Sequence, residues 1–554
     1  MAKEKNNITR VVIAIVILAL IICIVLVIAI TGKTRAEKTL EELYSEIEIH
    51  TLPLRKENVD LSETDLSESL PDISMFPFAV APETSDYIEI YSSPEKTGKD
   101  YESWLIDAAE SFNKSGVKIN GRAVSVGVRS IQSGLGFDYI LSGKYKPDLF
   151  SPSNEFWGDM LIYKGVNVNL LEKRLAGNVT GIILSNDKYS EFMEEYGYVD
   201  AKIIVEAVLQ NKLIMGYTDP FTSSTGLNFL LTTLYTLNSD APLSKESVSK
   251  LQQFQDNIPF VAYNTMQMKI SAQSGSLEGF VLAYQTYVNS PDIKLAYEFI
   301  PFGERVDNPV YEIGELSAVK KEIAVKFIDY CKTAEMQKLA TDKGFNGYND
   351  YVYGYAKADG ATISAAQQIW KKEKNGTRDL TVVFVADISG SMDGMPLAKL
   401  KDSLNSASKY ILPETHVGLV TFSDSVNIAL PIAKFDLNQR SYFTGAVKDM
   451  QAGGGTAMFD AIIAASKMLM DAKEENPNTK LMLFVLTDGE TNMGNTFYDV
   501  EKILRDLKIP IYTIGYNANI SILRELSEMN EAANINAETD DVIYKLMGLF
   551  NAQT

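Results

Sequence analysis

The chain predicts an α/β protein behind a single N-terminal membrane span, and three observations carry that reading. Residues 11–30 are twenty consecutive apolar side chains. Between about 86 and 370, short apolar runs alternate with amphipathic stretches, the pattern of strands alternating with helices. In the last third, Thr381-Val-Val-Phe-Val-Ala386 and Leu481-Met-Leu-Phe-Val-Leu486 are apolar and rich in β-branched residues, and an aspartate follows each closely. Such runs read as buried parallel strands of a doubly wound sheet.

Twenty apolar residues at about 1.5 Å rise each span a hydrocarbon core of about 30 Å. A cleaved signal peptide has a shorter apolar region and a small-residue cleavage site, and neither is present. The expected topology is a short tail at 1–10 and a span at 11–30. Lys3, Lys5 and Arg10 on one side are balanced by Lys33, Arg35 and Lys38 on the other, so flanking charge alone does not orient the span. With 554 residues the chain has room for two or three folded units, and its formal net charge of -20 disfavours nucleic acid and anionic membrane surfaces as main partners. Of the two cysteines, Cys23 lies within the span and Cys331 in a helical pattern over 324–344, which excludes a disulfide framework and makes Cys331 a buried structural thiol.

Residues 31–82 combine a polar helical stretch over 36–49 with a Ser/Asp/Glu/Leu segment around 61–70, which reads either as a tether or as an extra helix packed on the next domain. Beyond it, the strand Tyr87-Ile-Glu-Ile-Tyr91 precedes a helix over 101–112. Ala123-Val-Ser-Val-Gly-Val128 precedes a helix near 137–141, and Asp148-Leu-Phe150 a helix over 156–163. Hydroxyl clusters follow several strands, and Ser93, Ser130, Ser153, Thr218 and Ser223 stand out as candidate contacts for a polar ligand. Helix N-termini present unpaired N–H groups and partial positive charge, although the same residues also serve as ordinary caps. Trp157 reads as a core residue.

Three stretches give this middle region a family resemblance: Lys146-Pro-Asp-Leu-Phe-Ser-Pro-Ser153, Gly216-Tyr-Thr-Asp-Pro-Phe-Thr-Ser-Ser-Thr-Gly226 with the apolar helix over 227–237, and the helical run from Lys320 to Phe345. Over 83–372 the chain resembles the two-lobed (type II) periplasmic substrate-binding proteins. The resemblance implies a ligand cleft between the lobes. Asp219 stands where that motif usually has asparagine, and a carboxylate there would oppose an anionic ligand.

At the C-terminal edge of the parallel strands, Asp387-Ile-Ser389-Gly-Ser391, Gly454-Gly455-Thr456 and Thr487-Asp488-Gly489 supply five oxygen side chains: Asp387, Ser389, Ser391, Thr456 and Asp488. Open parallel sheets bind ligands just beyond the carboxyl ends of their strands. Oxygen-only donors select a hard cation, Mg²⁺ first, with Mn²⁺ or Ca²⁺ as alternatives. In order and spacing these motifs resemble the metal-ion-dependent adhesion site of the von Willebrand factor type A (VWA) family, over 376–554. The resemblance implies that the hydroxyls of Ser389, Ser391 and Thr456 hold the ion directly or nearly so. Asp387 and Asp488 act largely through water, and a partner carboxylate completes the shell.

Enzyme chemistry has little raw material. There are two histidines, His50 and His416. Neither a phosphate-binding G-x-x-x-x-G-K-[ST] nor a dinucleotide G-x-G-x-x-G motif occurs. Ser406-Ala-Ser-Lys409 and Ser247-Val-Ser-Lys250 satisfy S-x-x-K, but no S-D-N accompanies them, and both sit in helix patterns where Ser and Lys face solvent. The whole chain resembles bacterial membrane-anchored substrate-binding and VWA-domain proteins. That resemblance places everything after the span outside the cell. The expected role is binding of a protein partner through the metal site, with the middle domain as ligand sensor or scaffold. A transport-linked solute receptor and a scaffold subunit for an envelope enzyme or chaperone complex are the alternatives.

Overall fold

The computed structural model describes residues 35–59, 67, 70–262, 268–269, 277–489, 491–516, 520–529, 534–536 and 548. The expected span at 11–30, Cys23 and the tail before them lie outside these residues. Among the described residues no helix is long and apolar enough to cross a membrane.

The middle region folds as two lobes. The first is built on a sheet whose neighbours run Phe78–Val80, Arg122–Ser130, Asp86–Ser92, Leu149–Ser151, Val310–Ile313 and Val168–Glu172, with Lys118–Ile119 paired on the side of Arg122–Ser130. Asp86–Ser92 is central and parallel to both of its neighbours, so its alternate residues Ile88 and Ile90 are buried under the helices Trp104–Lys114 and Ala318–Cys331. The second lobe carries the antiparallel strands Gly279–Ala283, Thr180–Ser185 and Tyr297–Phe302, and the parallel pair Gly216–Thr218 and Phe260–Ala262. Two crossing segments join the lobes side by side. Val306 N–H donates to the Asn178 carbonyl at 3.1 Å and Leu175 N–H to the Asn308 carbonyl at 3.4 Å. The helix Gly360–Glu373 braces both lobes, packing on Phe156–Tyr163 of the first and on Ser224–Leu237 and Lys245–Asp256 of the second. Its buried Trp370 donates Nε1–H to the Tyr217 hydroxyl at 2.5 Å.

The expected helix over 324–344 is two helices, Ala318–Cys331 and Ala334–Asp342. Thr333 breaks it, because its side chain caps the second helix by accepting the Met336 N–H. Cys331 is fully buried, as expected, and burial raises its thiol pKa.

The C-terminal sheet runs Ile49–Thr51, Val426–Lys434, His416–Phe422, Leu380–Asp387, Lys480–Thr487, Ile511–Gly515 and Asn534–Asn536. Every pairing is parallel except that of Val426–Lys434 with His416–Phe422. Leu380–Asp387 is buried along its whole length. Val382, Phe384 and Ala386 join one apolar cluster and Val383 and Val385 the other, so helices cover both faces of the sheet. This is why the run reads as continuously apolar rather than alternating.

Residues 35–58 are not a free tether, and they do not pack on the domain that follows them in sequence. The helix Arg35–Glu46 lies against Met458–Glu475 and Phe497–Leu507, and Leu40 sits inside that apolar cluster. Ile49–Thr51 adds an edge strand beside Val426–Lys434. The chain then passes to the other face, where Glu57 N–H donates to the Ser441 carbonyl at 3.1 Å and Lys448 Nζ meets Glu57 Oε2 at 2.5 Å. Among the described residues it meets the first lobe at Leu70 and Pro71, with Lys144 Nζ on the Leu70 carbonyl and Tyr139 Oη on that of Pro71. The middle domain is therefore inserted into the C-terminal one. The periodicity of 36–49 marked a helix with an apolar stripe, but it carried no information about which distant sheet that stripe covers.

Candidate functional site

Asp387 ends the central strand and Asp488 directly follows the neighbouring Lys480–Thr487, so parallel pairing brings both aspartates to the same end of the sheet. Asp387 is 0 % exposed. Its Oδ1 accepts the Ser389 N–H at 2.8 Å and its Oδ2 the Thr487 hydroxyl. Ser389 Oγ lies 3.1 Å from Ser391 Oγ, and Ser391 Oγ donates to Asp488 Oδ1 at 2.8 Å. Four of the five expected residues thus form one continuous chain of contacts.

The loop bearing Thr456 is bonded to the same cluster: Gly390 N–H donates to the Gly454 carbonyl at 3.0 Å and Gly453 N–H to that of Ile388 at 2.9 Å. Gly454 adopts φ +81°, and an added Cβ there would overlap the Asp424 carboxylate, whose Oδ1 takes the Gly455 N–H. The glycine run is therefore a cradle that brings Thr456 up to the strand ends. Thr456 N–H donates to Asn492 Oδ1 at 2.9 Å, and Asn492 N–H returns a bond to the Thr456 carbonyl at 3.1 Å. Asp424 and Asn492 escaped the sequence reading, and Thr487 entered it as part of the motif with Asp488 but not as the partner of Asp387. Only Asp424, flanked by Ser423 and Ser425 between two strands, carried a local turn signal.

Burial pushes the Asp387 carboxyl up, against the pull of its bonds to Ser389 and Thr487. Asp488 is raised by burial too, opposed by the Ser391 hydroxyl. No lysine or arginine among the described residues pairs with either. Two carboxylates and neighbouring hydroxyls converging without a counter-charge fit a hard cation. Its chemistry would be that of a Lewis acid holding a ligand oxygen. No three His, Cys, Asp or Glu side chains converge among the described residues, so the donor set depends on its hydroxyls.

A second candidate site is a cavity of about 200 Å³ between the two lobes. Ser93, Ser153 and Ser223 line it, as expected. Ser130 and Thr218 do not. Ser130 Oγ accepts the Thr97 hydroxyl at 2.8 Å, and Thr218 is fully buried with its hydroxyl on Ser223 Oγ at 2.9 Å. Both hold the wall rather than form it. Glu95, Glu102, Ser133, Thr225 and Lys269 line the cavity and were not selected from sequence. Ser133 and Thr225 stood inside hydroxyl clusters, whereas the two glutamates had no pattern to distinguish them from surface charge. Asp219 is not part of the lining either. It caps its own loop by taking the Phe221 N–H at 2.8 Å, and burial raises its carboxyl to about 6 while Lys374 and Lys371 pull it down. Its charge therefore does not bear on the cleft as the sequence suggested.

Trp157 is a core residue and spans the lobes, donating Nε1–H to Ser224 Oγ at 2.7 Å. Ser93 and Lys96 also stand at S-x-x-K spacing, and here the spacing becomes a contact, with Lys96 Nζ 2.6 Å from Ser93 Oγ. Lys96 is 0 % exposed, and its other two bonds go to the Ser151 carbonyl at 3.0 Å and Asn308 Oδ1 at 3.1 Å. Three acceptors match the three protons of an ammonium, so this lysine is placed as a charged strut behind Ser93. Ser247, expected on a solvated face, is buried with its hydroxyl on the Ala241 carbonyl at 3.1 Å, while Lys250 pairs with Glu246.

The von Willebrand factor type A domain family matches residues 381–547, and the bacterial extracellular solute-binding protein family matches 97–346. Bovine (Bos taurus) inter-alpha-trypsin inhibitor heavy chain H3 is 28% identical over 186 residues, covering 31% of this chain and 20% of that protein. The bovine heavy chain H4 is 32% identical over 152 residues, covering 25% and 16%. The matches thus span about a fifth or less of these relatives. Among solved structures, a von Willebrand factor type A protein from Catenulispora acidiphila is 18% identical, covering 31% of this chain and 41% of its own at TM-score 0.28. The sulfate-binding protein SubI of Mycobacterium tuberculosis is 15% identical, covering 48% and 88% at TM-score 0.35. The chain combines a bacterial extracellular solute-binding domain with a von Willebrand factor type A domain.

Proposed function

We propose that this protein is a membrane-anchored, extracytoplasmic binding protein that engages an acidic group of a protein partner through a divalent ion, Mg²⁺ by preference, at its VWA domain. The solute-binding domain serves it as ligand sensor or scaffold. The observation that carries the reading is the contact chain Asp387, Ser389, Ser391, Asp488 with the Thr456 loop fixed beside it and no basic side chain to neutralise it. Neutral hydroxyls leave much of an ion's charge unspent, which favours a carboxylate arriving across an interface. The twenty apolar residues at 11–30 support the anchor.

The test is calorimetric titration of the full chain in detergent with Mg²⁺ and Mn²⁺, beside Asp387→Ala. The wild type should bind one ion and the variant should lose at least tenfold in affinity, with strand and helix content unchanged. Pull-down from solubilised membranes should retain a partner only without chelator. Equal ion binding by wild type and Asp387→Ala, both folded, would remove the metal site and the cation-dependent interface with it.

A further inference from the structure

The cavity between the lobes has a charge pattern that narrows its ligand, given the reading of the middle domain as a solute binder. Two segments supply donors. Ser133 begins the helix Ser133–Ser142, whose Gln132 cap makes no side-chain bond. Ser224 and Thr225 begin Ser224–Leu237 behind the cap Ser223. The first N–H groups of a helix have no intrahelical acceptor, and both helices point these groups at the same cavity, which is lined by Ser133, Ser224 and Thr225. Thr225 is 6 % exposed and lines the cavity. Ser224 Oγ already accepts from Trp157, which leaves its own proton to give.

A third segment supplies acceptors. Glu95 and Glu102 line the same cavity. The charges facing them are Lys96, 3.5 Å from Glu95 Oε1 and bound to three acceptors, and Lys269 from the second lobe, which acts on Glu102. Burial first, then repulsion from Glu95 and to a lesser degree Asp100, raises Glu102 to about 7 in spite of Lys269. Among the described residues, the charged side chains that line the cavity are Glu95, Glu102 and Lys269, with Lys96 buried behind Ser93 as the partner of Glu95. A lone oxyanion would sit beside two carboxylates, and a lone cation would face the Lys269 ammonium and two helix N-termini. Either ion would be buried without full compensation.

We propose that the cleft takes a small zwitterion, with its anionic group on the N-terminal residues Ser133, Ser224 and Thr225 and its ammonium group between Glu95 and Glu102. A cavity of about 200 Å³ suits a molecule of amino-acid size. The anionic group gains the donors at the two helix starts, and the glutamate pair gains a cation that donates to both.

The experiment is calorimetric binding to the full chain in detergent, with the twenty L-amino acids, β-alanine and γ-aminobutyrate as zwitterions, and sulfate, acetate and butylammonium as single-charge probes. At least one zwitterion should bind at least tenfold more tightly than every single-charge probe. Glu102→Gln and Thr225→Val should each weaken it tenfold or more, while leaving the Mg²⁺ titration of the VWA domain unchanged. Sulfate binding as tightly as any zwitterion, and surviving Glu102→Gln, would overturn the ligand class and leave a solute binder for oxyanions. Butylammonium binding alone would replace it with a cation site. Absence of heat with every probe would overturn the solute-binding reading itself.

Discussion

Leu40→Ala tests whether residues 35–58 are an integral part of the VWA domain. Leu40 is 1 % exposed within the cluster that holds Val383, Val385, Ile462 and Leu504, and its helix continues into that domain through the edge strand Ile49–Thr51. Truncating a buried leucine costs about 2–5 kcal/mol. An outer-layer helix relaxes more readily than a central one, so the lower part of that range, about 2–3 kcal/mol, is expected. At 1.36 kcal/mol per factor of ten, this raises the local opening equilibrium by roughly 30- to 160-fold. The structure supplies its own reporter in the Leu52 amide, which donates to the Ile428 carbonyl at 3.0 Å and is released when the segment lifts from the sheet edge. Hydrogen exchange at that amide in Leu40→Ala should accelerate by the same factor. Leu54→Ala, at a side chain 45 % exposed, should leave it unchanged. Exchange in Leu40→Ala within threefold of wild type would show that the helix rests on the domain without stabilising it.

Lys96→Met should destabilise the first lobe by about 3–5 kcal/mol, because it strands Asn308 Oδ1, leaves the Ser151 carbonyl with the Ser93 N–H at 3.4 Å as its donor and removes the counter-charge of Glu95; chemical denaturation followed by tryptophan fluorescence reads it. Glu102 has its pKa raised in the folded state, so between the ordinary 4.5 and about 7 the folded chain holds more protons than the unfolded one and stability falls as pH rises. Glu102→Gln should therefore raise the melting temperature at pH 8 and match wild type at pH 4.5; a constant difference at both would refute the cause. Gly134→Ala would drive a methyl into the Phe221 carbonyl and to 2.9 Å from Thr222 Cα, both on the opposite lobe. Small-angle scattering should show a larger radius of gyration for it, and an unchanged radius would mean that the two loops do not limit closure.

The loops of the candidate metal site were legible in sequence because each candidate donor sits beside the end of a long buried strand or in a glycine cradle, features that survive without any tertiary knowledge. The strands Leu380–Asp387 and Lys480–Thr487 match the apolar runs to within a residue or two. The cleft was half legible. Ser93, Ser153 and Ser223 follow strand ends and face the cavity, but Ser130 and Thr218 share that local pattern and point into the wall. Whether a hydroxyl faces ligand or neighbour depends on contacts such as Thr97 to Ser130, which no spacing encodes. Asp219 failed for the same reason: its partners Lys371 and Lys374 lie about 150 residues further along the chain.

Insertion of one domain into the other gives the chain two independent attachments between the cleft and the candidate metal site. From the first lobe, residues 52–58 return to the helix Leu437–Asp449, where Glu57 meets Ser441 and Lys448, and that helix leads directly into the loop that carries Thr456. From the side of the second lobe, the end of the bracing helix Gly360–Glu373 passes through Thr377, whose N–H and hydroxyl both bond Asp256 at 2.8 Å, into the strand that ends at Asp387. Each attachment therefore reaches the candidate metal site through a different one of its loops. The segments joining the lobes carry buried and charge-paired contacts of their own, with Asn178 and Asn308 buried and Arg305 paired with Asp307 at 2.9 Å. A movement of the lobes against the VWA domain bears on the Glu57 and Asp256 contacts, and through them on the Thr456 and Asp387 loops. With Lys448 on an exposed helix face and Asp256 partly buried, the outer contact is the weaker of the two, so the Thr456 side is where slack is available.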